Sequence, residues 1–376
     1  MRSEEKILRD IEHIKNKDSE VYLFGTGKIG TGIGYEIIKL FGIQVTYFCD
    51  NDAKKWGKII KDGICCIPPH KLQEKKQNAC FILVGRDLLE GIEKQVRQMG
   101  IETVITYEEL KRVDFPLDDF YAGPFRYDES DCIKRQGMLS ENRDMSFRVK
   151  NFGNRKIAVY TCIVGGYDKV YEPKAVSDLC DYYLISDQKP EKPSVWQWID
   201  IAEAVPEWVT DPVRKNRYCK INGDRIFSEY PYSIYLDGRF KITGDISRYV
   251  SQTGKSGMAM FRHMDHQCIY KEGFFCVIFG KDDEDRIRWQ LSRYKREKMP
   301  VNYGQFACGI LIRENHNPLC RLVMEDWWRE VFAKSYRDQL SFMYCLWKNG
   351  LNASDVGCLE GDWSRNRDFW QNGHNP

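Results

Sequence analysis

Short apolar runs that stop abruptly at a glycine or an acid recur along this chain and constrain its fold more than any other feature. Val21-Tyr22-Leu23-Phe24 runs into Gly25, Ile157 through Val164 into Gly165-Gly166, Asp181 through Ser186 into Asp187, and Ser233-Ile234-Tyr235-Leu236 into Asp237. Apolar runs of about four to eight residues bounded by turn signals read as buried strands. Between them lie segments with helical spacing, and that alternation builds α/β sheets. Open sheets of this kind bind ligands beyond the carboxyl ends of their strands, so the residues at which the runs stop are the first candidates for a site.

The chain has 376 residues, enough for two cores. In the first, Ile7, Ile11 and Ile14 keep helical spacing ahead of the strand at 21–24. Gly25-Thr26-Gly27-Lys28-Ile29-Gly30 then leads into the helical period of Ile33, Ile37, Ile38 and Phe41. Glycines between a strand and a helix permit a tight turn, and the helix N-terminus offers N–H groups to an anion. A second strand, Val45 to Cys49, ends at Asp50, 20 residues past Gly30, where an acid can accept from a ribose. Gly25, Gly27, Gly30 and Asp50 are therefore nucleotide-binding candidates. A short hairpin-like or edge segment at 63–69, a strand at 79–84, a helix through Ile92, Val96 and Met99 and a strand at 103–105 complete about five strands. From Val21 through Asp50-Asn51-Asp52 and Trp56-Gly57 the pattern resembles the small Rossmann-like modules attached to bacterial surface-polysaccharide enzymes. No convincing catalytic Tyr-x-x-x-Lys pair accompanies the glycines, which points the chemistry elsewhere.

The expected division is a Rossmann-like domain over 1–115, a connector over 116–155 with a helix within 132–148, and a second domain over 156–376. A net charge of +2 with no basic block argues against nucleic acid as a partner. No run is long enough to span a membrane. The first residues lack the apolar core of a secretory leader, and 14 cysteines without paired CxxC units fit reduced, core-filling thiols. A cytoplasmic protein is expected, in one version peripheral at the inner face of the membrane.

In the second domain, Thr161, Gly165, Gly166, Tyr167 and Asp187 frame a crevice at two successive strand ends. Arg214, Arg217 and Lys220 follow one another at helical spacing, and such a basic face can meet a diphosphate. Asp237 ends an apolar strand, where a carboxylate has little packing value, and Gly238 beside it leaves room for a ligand. Hard oxygen ligands suit Mg²⁺ or Mn²⁺. His263 and His266 lie three apart, but a zinc site needs a third ligand that the sequence does not identify. Trp289, Tyr294 and Tyr303 offer aromatic surface for sugar rings. Asp338 stands at the start of a helix with apolar positions 340, 343, 344 and 347, where an anionic carboxylate is favoured and could act as a general base.

Five of these segments, in order, carry a resemblance: Val159 to Asp168, Asn216 to Ile221, Ser233 to Gly238, His263 with Cys268-Ile269-Tyr270, and Arg337 to Phe342. Together they resemble the glycosyltransferase-like domain family, formerly of unknown function, of plant cell-wall and mucilage proteins and bacterial polysaccharide clusters. The resemblance implies a GT-A-like mixed-sheet domain, a nucleotide-sugar donor and a glycan acceptor in surface-polysaccharide biosynthesis. Asp237 would correspond to the metal-binding aspartate, Arg217 and Lys220 to the basic pair, and Asp338 to the acid before the late helix. Leu236-Asp237-Gly238-Arg239 supplies one acid where a GT-A site has two, so a divalent cation would need Asp237 with His263 or His316, or Arg239 would replace part of its role. Polysaccharide-assembly proteins and a second copy of the chain are the further partners considered. The competing classes are an NAD- or nucleotide-sugar-binding epimerase or oxidoreductase built on Gly25 to Asp50, and a non-catalytic assembly scaffold.

Overall fold

The structure, a computed structural model, describes residues 2–16, 20–74, 79–101, 103–141, 147–361 and 366–371. The architecture is mixed α/β, in two compact units that each contain a sheet. One comprises Met1–Gly123 with Phe274–Lys281, the other Pro124–Gly273 with Asp282–Pro376.

The first unit carries β1 (Val21–Phe24), β2 (Tyr47–Cys49), β3 (Ile59–Lys61), β4 (Ile64–Ile67), β5 (Ala79–Ile82) and β6 (Thr103–Thr106), in the order β3-β4-β2-β1-β5-β6. All neighbours pair in parallel except β3 and β4, a hairpin whose second strand alone falls in the hairpin-like or edge segment expected at 63–69. That hairpin is one strand more than the sequence suggested. Glu4–Asn16 is helical and buries Ile7, Ile11 and Ile14, and Arg86–Gln98 buries Val96.

The second unit is built on β7 (Ile157–Ile163), β8 (Cys180–Ser186), β9 (Gln197–Asp200), β10 (Tyr232–Leu236), β12 (Met258–Arg262), β13 (Phe306–Glu314) and β14 (Gly357–Cys358), with β11 (Phe240–Ile242) and β15 (Phe369–Gln371) as a separate antiparallel pair. The order is β14-β12-β13-β10-β7-β8-β9. Strands β10, β7, β8 and β9 run parallel, and β13 runs against both β10 and β12. The carboxyl ends of β7, β8, β10 and β12 consequently lie along one edge. Ile157, Val159, Ile234, Leu236, Ile310 and Ile312 share one apolar cluster. Each such side chain, removed from water, contributes roughly 2 kcal/mol.

Tyr160 and Tyr235 sit one register step from that cluster and are fully buried. The Pro212–Ile221 helix packs on β7, started by Asp211, whose carboxylate accepts from Arg214 N, and by Pro212 at its first turn. Its end is held by Arg313, a buried guanidinium that donates to the Lys220 carbonyl at 2.7 Å and the Ile221 carbonyl at 3.1 Å. Arg313 also donates to the Tyr160 hydroxyl. These bonds satisfy carbonyls that a helix end leaves open, and they fix the last turn that carries Lys220.

The helix expected within the connector runs Glu129–Glu141, and residues 142–146 lie outside the described residues. It packs on the Pro318–Ala333 helix. Every cysteine is a free thiol, and all but Cys65 and Cys358 are buried. Among the described residues no helix is long and apolar enough to cross a membrane.

Candidate functional site

Lys220, from the last turn of the Pro212–Ile221 helix, is the centre of a cluster at the β10 end of the sheet. Its Nζ lies 3.4 Å from Asp237 Oδ1 and 2.5 Å from Asp338 Oδ2. Arg217, one turn earlier, places Nε 3.7 Å from the same Asp338 oxygen and donates to the Asn216 Oδ1 and the Tyr336 carbonyl. Lys220 also stands 5.3 Å from the centre of the Tyr235 ring. Two cations and two acids, drawn from a helix, a strand end and a helix start, thus meet within one turn of side-chain reach.

The two acids differ in access. Asp237 leaves β10 with its N–H bonded to the Gly309 carbonyl at 2.8 Å, and a quarter of its side chain is exposed. A Cβ on Gly309 would lie 3.1 Å from Asp237 Oδ2 and 2.8 Å from the Phe240 ring, so the bare glycine makes the space that Asp237 occupies. Asp338 has only 5% of its side chain exposed. It precedes the Gln339–Lys348 helix and accepts from Gln339 N at 3.0 Å. Burial alone would raise its carboxyl, but the charges of Lys220, Arg217 and Arg337 outweigh that and hold it well below the usual carboxylate range.

Other expected residues are placed as follows. Asp187 accepts from Gly165 N at 2.8 Å and so closes the loop after β7, where Gly165 and Gly166 take φ of 66° and 64°. Tyr167 is exposed. Thr161 is buried, and with Leu236, Gly238, Lys169 and Trp196 it lines a small cavity beside the β10 end. Gly238 does not leave open space: a Cβ there would lie 2.9 Å from Asp168 Oδ2 and 3.0 Å from Ile163, so the room is already filled. Asp168 is therefore a second carboxylate beside the Asp237 turn, one that the motif contained and sequence reasoning passed over.

Arg214 does not join the cluster. It is buried and donates to the Phe332 and Lys334 carbonyls at 3.1 and 2.8 Å, a structural use. The aromatic residues expected on the surface are likewise engaged: Tyr294 is stacked on Tyr344 inside the protein, Trp289 donates to Glu129, and Tyr303 donates to the Leu351 carbonyl. A larger cavity of about 510 Å³, lined by Trp208, Tyr218, Trp328 and Glu330 among others, shares none of the four clustered residues.

Of the two histidines offered as alternatives beside Asp237, His316 is at the far end of the strand. His316 follows Glu314, which pairs with Tyr232 at the opposite end of β10. Five residues of strand separate that end from Asp237, about 16 Å. His316 is exposed there, its Nε2 2.8 Å from the Ser228 carbonyl. His263 lies at the same edge as Asp237, its N–H bonded to the Gln305 carbonyl just before β13, whereas that of Asp237 is bonded to Gly309 within β13. His263 instead turns to His266 and Glu272, the acid that spacing alone could not supply.

In the first unit the glycine turn is packed shut at two points. Gly25 has φ 111°, and a Cβ there would lie 2.6 Å from the Leu83 carbonyl oxygen; one on Gly30 would strike the Gly25 carbonyl. Gly27 faces open space. Asp50 accepts from Thr26 N and Oγ1, from Asp52 N and from Lys55 Nζ. Those bonds outweigh the raising effect of its burial and keep its carboxyl below the ordinary range. Its oxygens therefore tie the turn together.

Residues 131–356, more than half of the chain, match the family described as TOD1/MUCI70, glycosyltransferase-like domain. A curated relative, the "Probable hexosyltransferase MUCI70" of Arabidopsis thaliana, is 24% identical over 217 residues. The matched part is 50% of this chain and 36% of the plant protein, so the chain spans about a third of that relative's length. A solved structure described as "WbbM bifunctional glycosytransferase apo structure" is similar at a TM-score of 0.37 and 13% identity, over 56% of this chain and 40% of that one. On the family match, which takes in Asp237, Lys220, Arg217 and Asp338, this chain belongs to the TOD1/MUCI70 glycosyltransferase-like domain family.

Proposed function

We propose that this protein transfers a hexose from a nucleotide-sugar donor to a glycan acceptor in polysaccharide biosynthesis, at the strand ends of its second unit. The observation that carries the reading is Lys220, held between Asp237 and Asp338 with Arg217 beside it. The donor's nucleoside would lie over the loops after β7 and β8, from Thr161 to Asp168 and at Asp187, in the manner of a GT-A-like domain. Its diphosphate would meet Lys220 and Arg217. As the bond from the anomeric carbon to the diphosphate lengthens, negative charge grows on the leaving oxygens. Fixed cations lower the barrier to the extent that they bind this charge more tightly than the ground state.

A Mg²⁺ or Mn²⁺ ion at Asp237 would have to share that carboxylate with the Lys220 ammonium. Asp237 has that ammonium 3.4 Å away, Asp168 is the second carboxylate beside the same turn, and the pairing of β10 with β13 carries His316 to the far end. Lys220 and Arg217 take the neutralising role in this reading. Asp338, sealed and ion-paired, is assigned to holding Lys220 in place rather than to accepting the acceptor's proton. Asp237, the acid with an exposed face, would take the proton of the acceptor hydroxyl as that oxygen bonds the anomeric carbon and the diphosphate leaves. The Rossmann-like first unit is assigned no chemical step.

The test is a transfer assay with purified full-length protein, a panel of nucleotide sugars and glycan acceptors, reading release of the nucleoside diphosphate. Turnover with at least one donor is expected, falling roughly a hundredfold or more in Asp237→Asn, the size of loss seen when one preorganised electrostatic contact is removed. Absence of binding and release with every donor would leave the assembly scaffold as the better account.

A further inference from the structure

His263 and His266 leave β12 in the short segment before the Ile269–Ile278 helix, and Glu272 stands in that helix's first turn. The three side chains converge. His266 Nε2 is 3.2 Å from Glu272 Oε2, and His263 Nε2 is 3.9 Å from the same oxygen. One ligand atom from each residue lies within 4.8 Å of the other two, and the imidazole centroids are 4.2 Å apart.

We propose that His263, His266 and Glu272 form a binding site for one divalent ion of the zinc class, with none of its ligands drawn from the Lys220 cluster. Two imidazole nitrogens and one carboxylate oxygen are a donor set that Zn²⁺ accepts in tetrahedral sites with a fourth position left for water or another ligand. Bonds of about 2.0–2.2 Å put tetrahedral ligand atoms about 3.4 Å apart, so separations of up to 4.8 Å would have to close by at most about 1.4 Å. Nitrogen-rich donors favour Zn²⁺ or Co²⁺ over Mg²⁺, which prefers oxygen and retains its water. Access also fits: the His266 side chain is 1% exposed and Glu272 10%, whereas His263 at 18% forms the open rim. Burial of a carboxylate against two bases that could carry charge alone has one other explanation, an imidazolium–carboxylate pair without metal, and the two differ in what they bind.

The experiment uses the full-length protein, stripped with a chelator and titrated first with Co²⁺ and then with Zn²⁺. The expected result is one Co²⁺ per chain with the visible absorption of a four-coordinate ion, displaced by Zn²⁺. Substitutions His266→Asn and His263→Asn should each weaken binding at least tenfold, while His316→Asn leaves it unchanged. Because His263 lies at the rim, His263→Asn keeps the test readable if His266→Asn disturbs folding. No binding of either ion, or binding undiminished in His263→Asn, would overturn the proposal in favour of the metal-free pair.

Discussion

Lys220 has almost no exposed side chain and two acids within reach, so its charge is tolerated only because both partners are present. Asp338→Asn removes the nearer one and leaves an ammonium buried beside Asp237 alone. The expected cost is about 3 kcal/mol in urea unfolding at pH 7. The pH dependence follows from the depressed carboxyl. A folded value below the unfolded one means that Asp338 contributes stability above about pH 4, which is lost as the pH falls toward its folded value. The wild type should therefore lose stability on acidification below about pH 4 more steeply than Asp338→Asn does, and parallel curves for the two proteins would contradict the pairing. The sequence made these residues candidates but could not rank them. Arg214 and Arg217 look alike in spacing, yet one is used on the Phe332 and Lys334 carbonyls and the other stands by Asp338. Asp338 reads as a reactive acid from its place before a helix, and its burial against three cations, on which the proposed counter-ion role rests, is not legible there.

Strands announce themselves in this sequence because each apolar run ends at a residue that cannot continue it. The ends of β1, β7, β8 and β10 were all legible in that way, as was the helix bearing Arg217 and Lys220. The pairing of β13 between β12 and β10 was not, because strand order depends on contacts far apart in the chain, and it is this order that sends His316 to the far end of β10. The glycines mislead for a related reason. Gly238 looked like an opening for a ligand, but Asp168 and Ile163 already fill the gap. Gly223 shows the same principle where the sequence drew no attention: a Cβ there would lie 2.0 Å from the Tyr160 hydroxyl and 2.2 Å from Arg313 Nη2. Gly223→Ala should displace Arg313 from the last carbonyls of the Pro212–Ile221 helix, costing about 2 kcal/mol or more, as overpacking of a tight core does. A melting temperature unchanged from wild type would show that Arg313 is not what holds that helix end.

The division of labour between two sheet-containing units is the broadest claim. The first unit's glycine turn is tied by Asp50 to Thr26 and Lys55, and the cluster assigned to sugar transfer lies wholly in the second. Asp50→Ala should lower the melting temperature by several degrees, as loss of about 1–2 kcal/mol of charge-assisted bonds would, and leave transfer kcat/KM within about twofold. A large loss of turnover with the fold intact would instead give the first unit a part in the chemistry. Everything functional in the account depends on one fixed ammonium meeting the diphosphate of a sugar donor. Calorimetric titration of a panel of nucleoside diphosphates and their sugar conjugates into wild type and Lys220→Met addresses it most directly. The account predicts that at least one conjugate binds the wild type and that Lys220→Met, with its circular dichroism preserved, binds it at least about tenfold more weakly, the share of a charge-assisted contact to phosphate. Equal affinity for both proteins would contradict it.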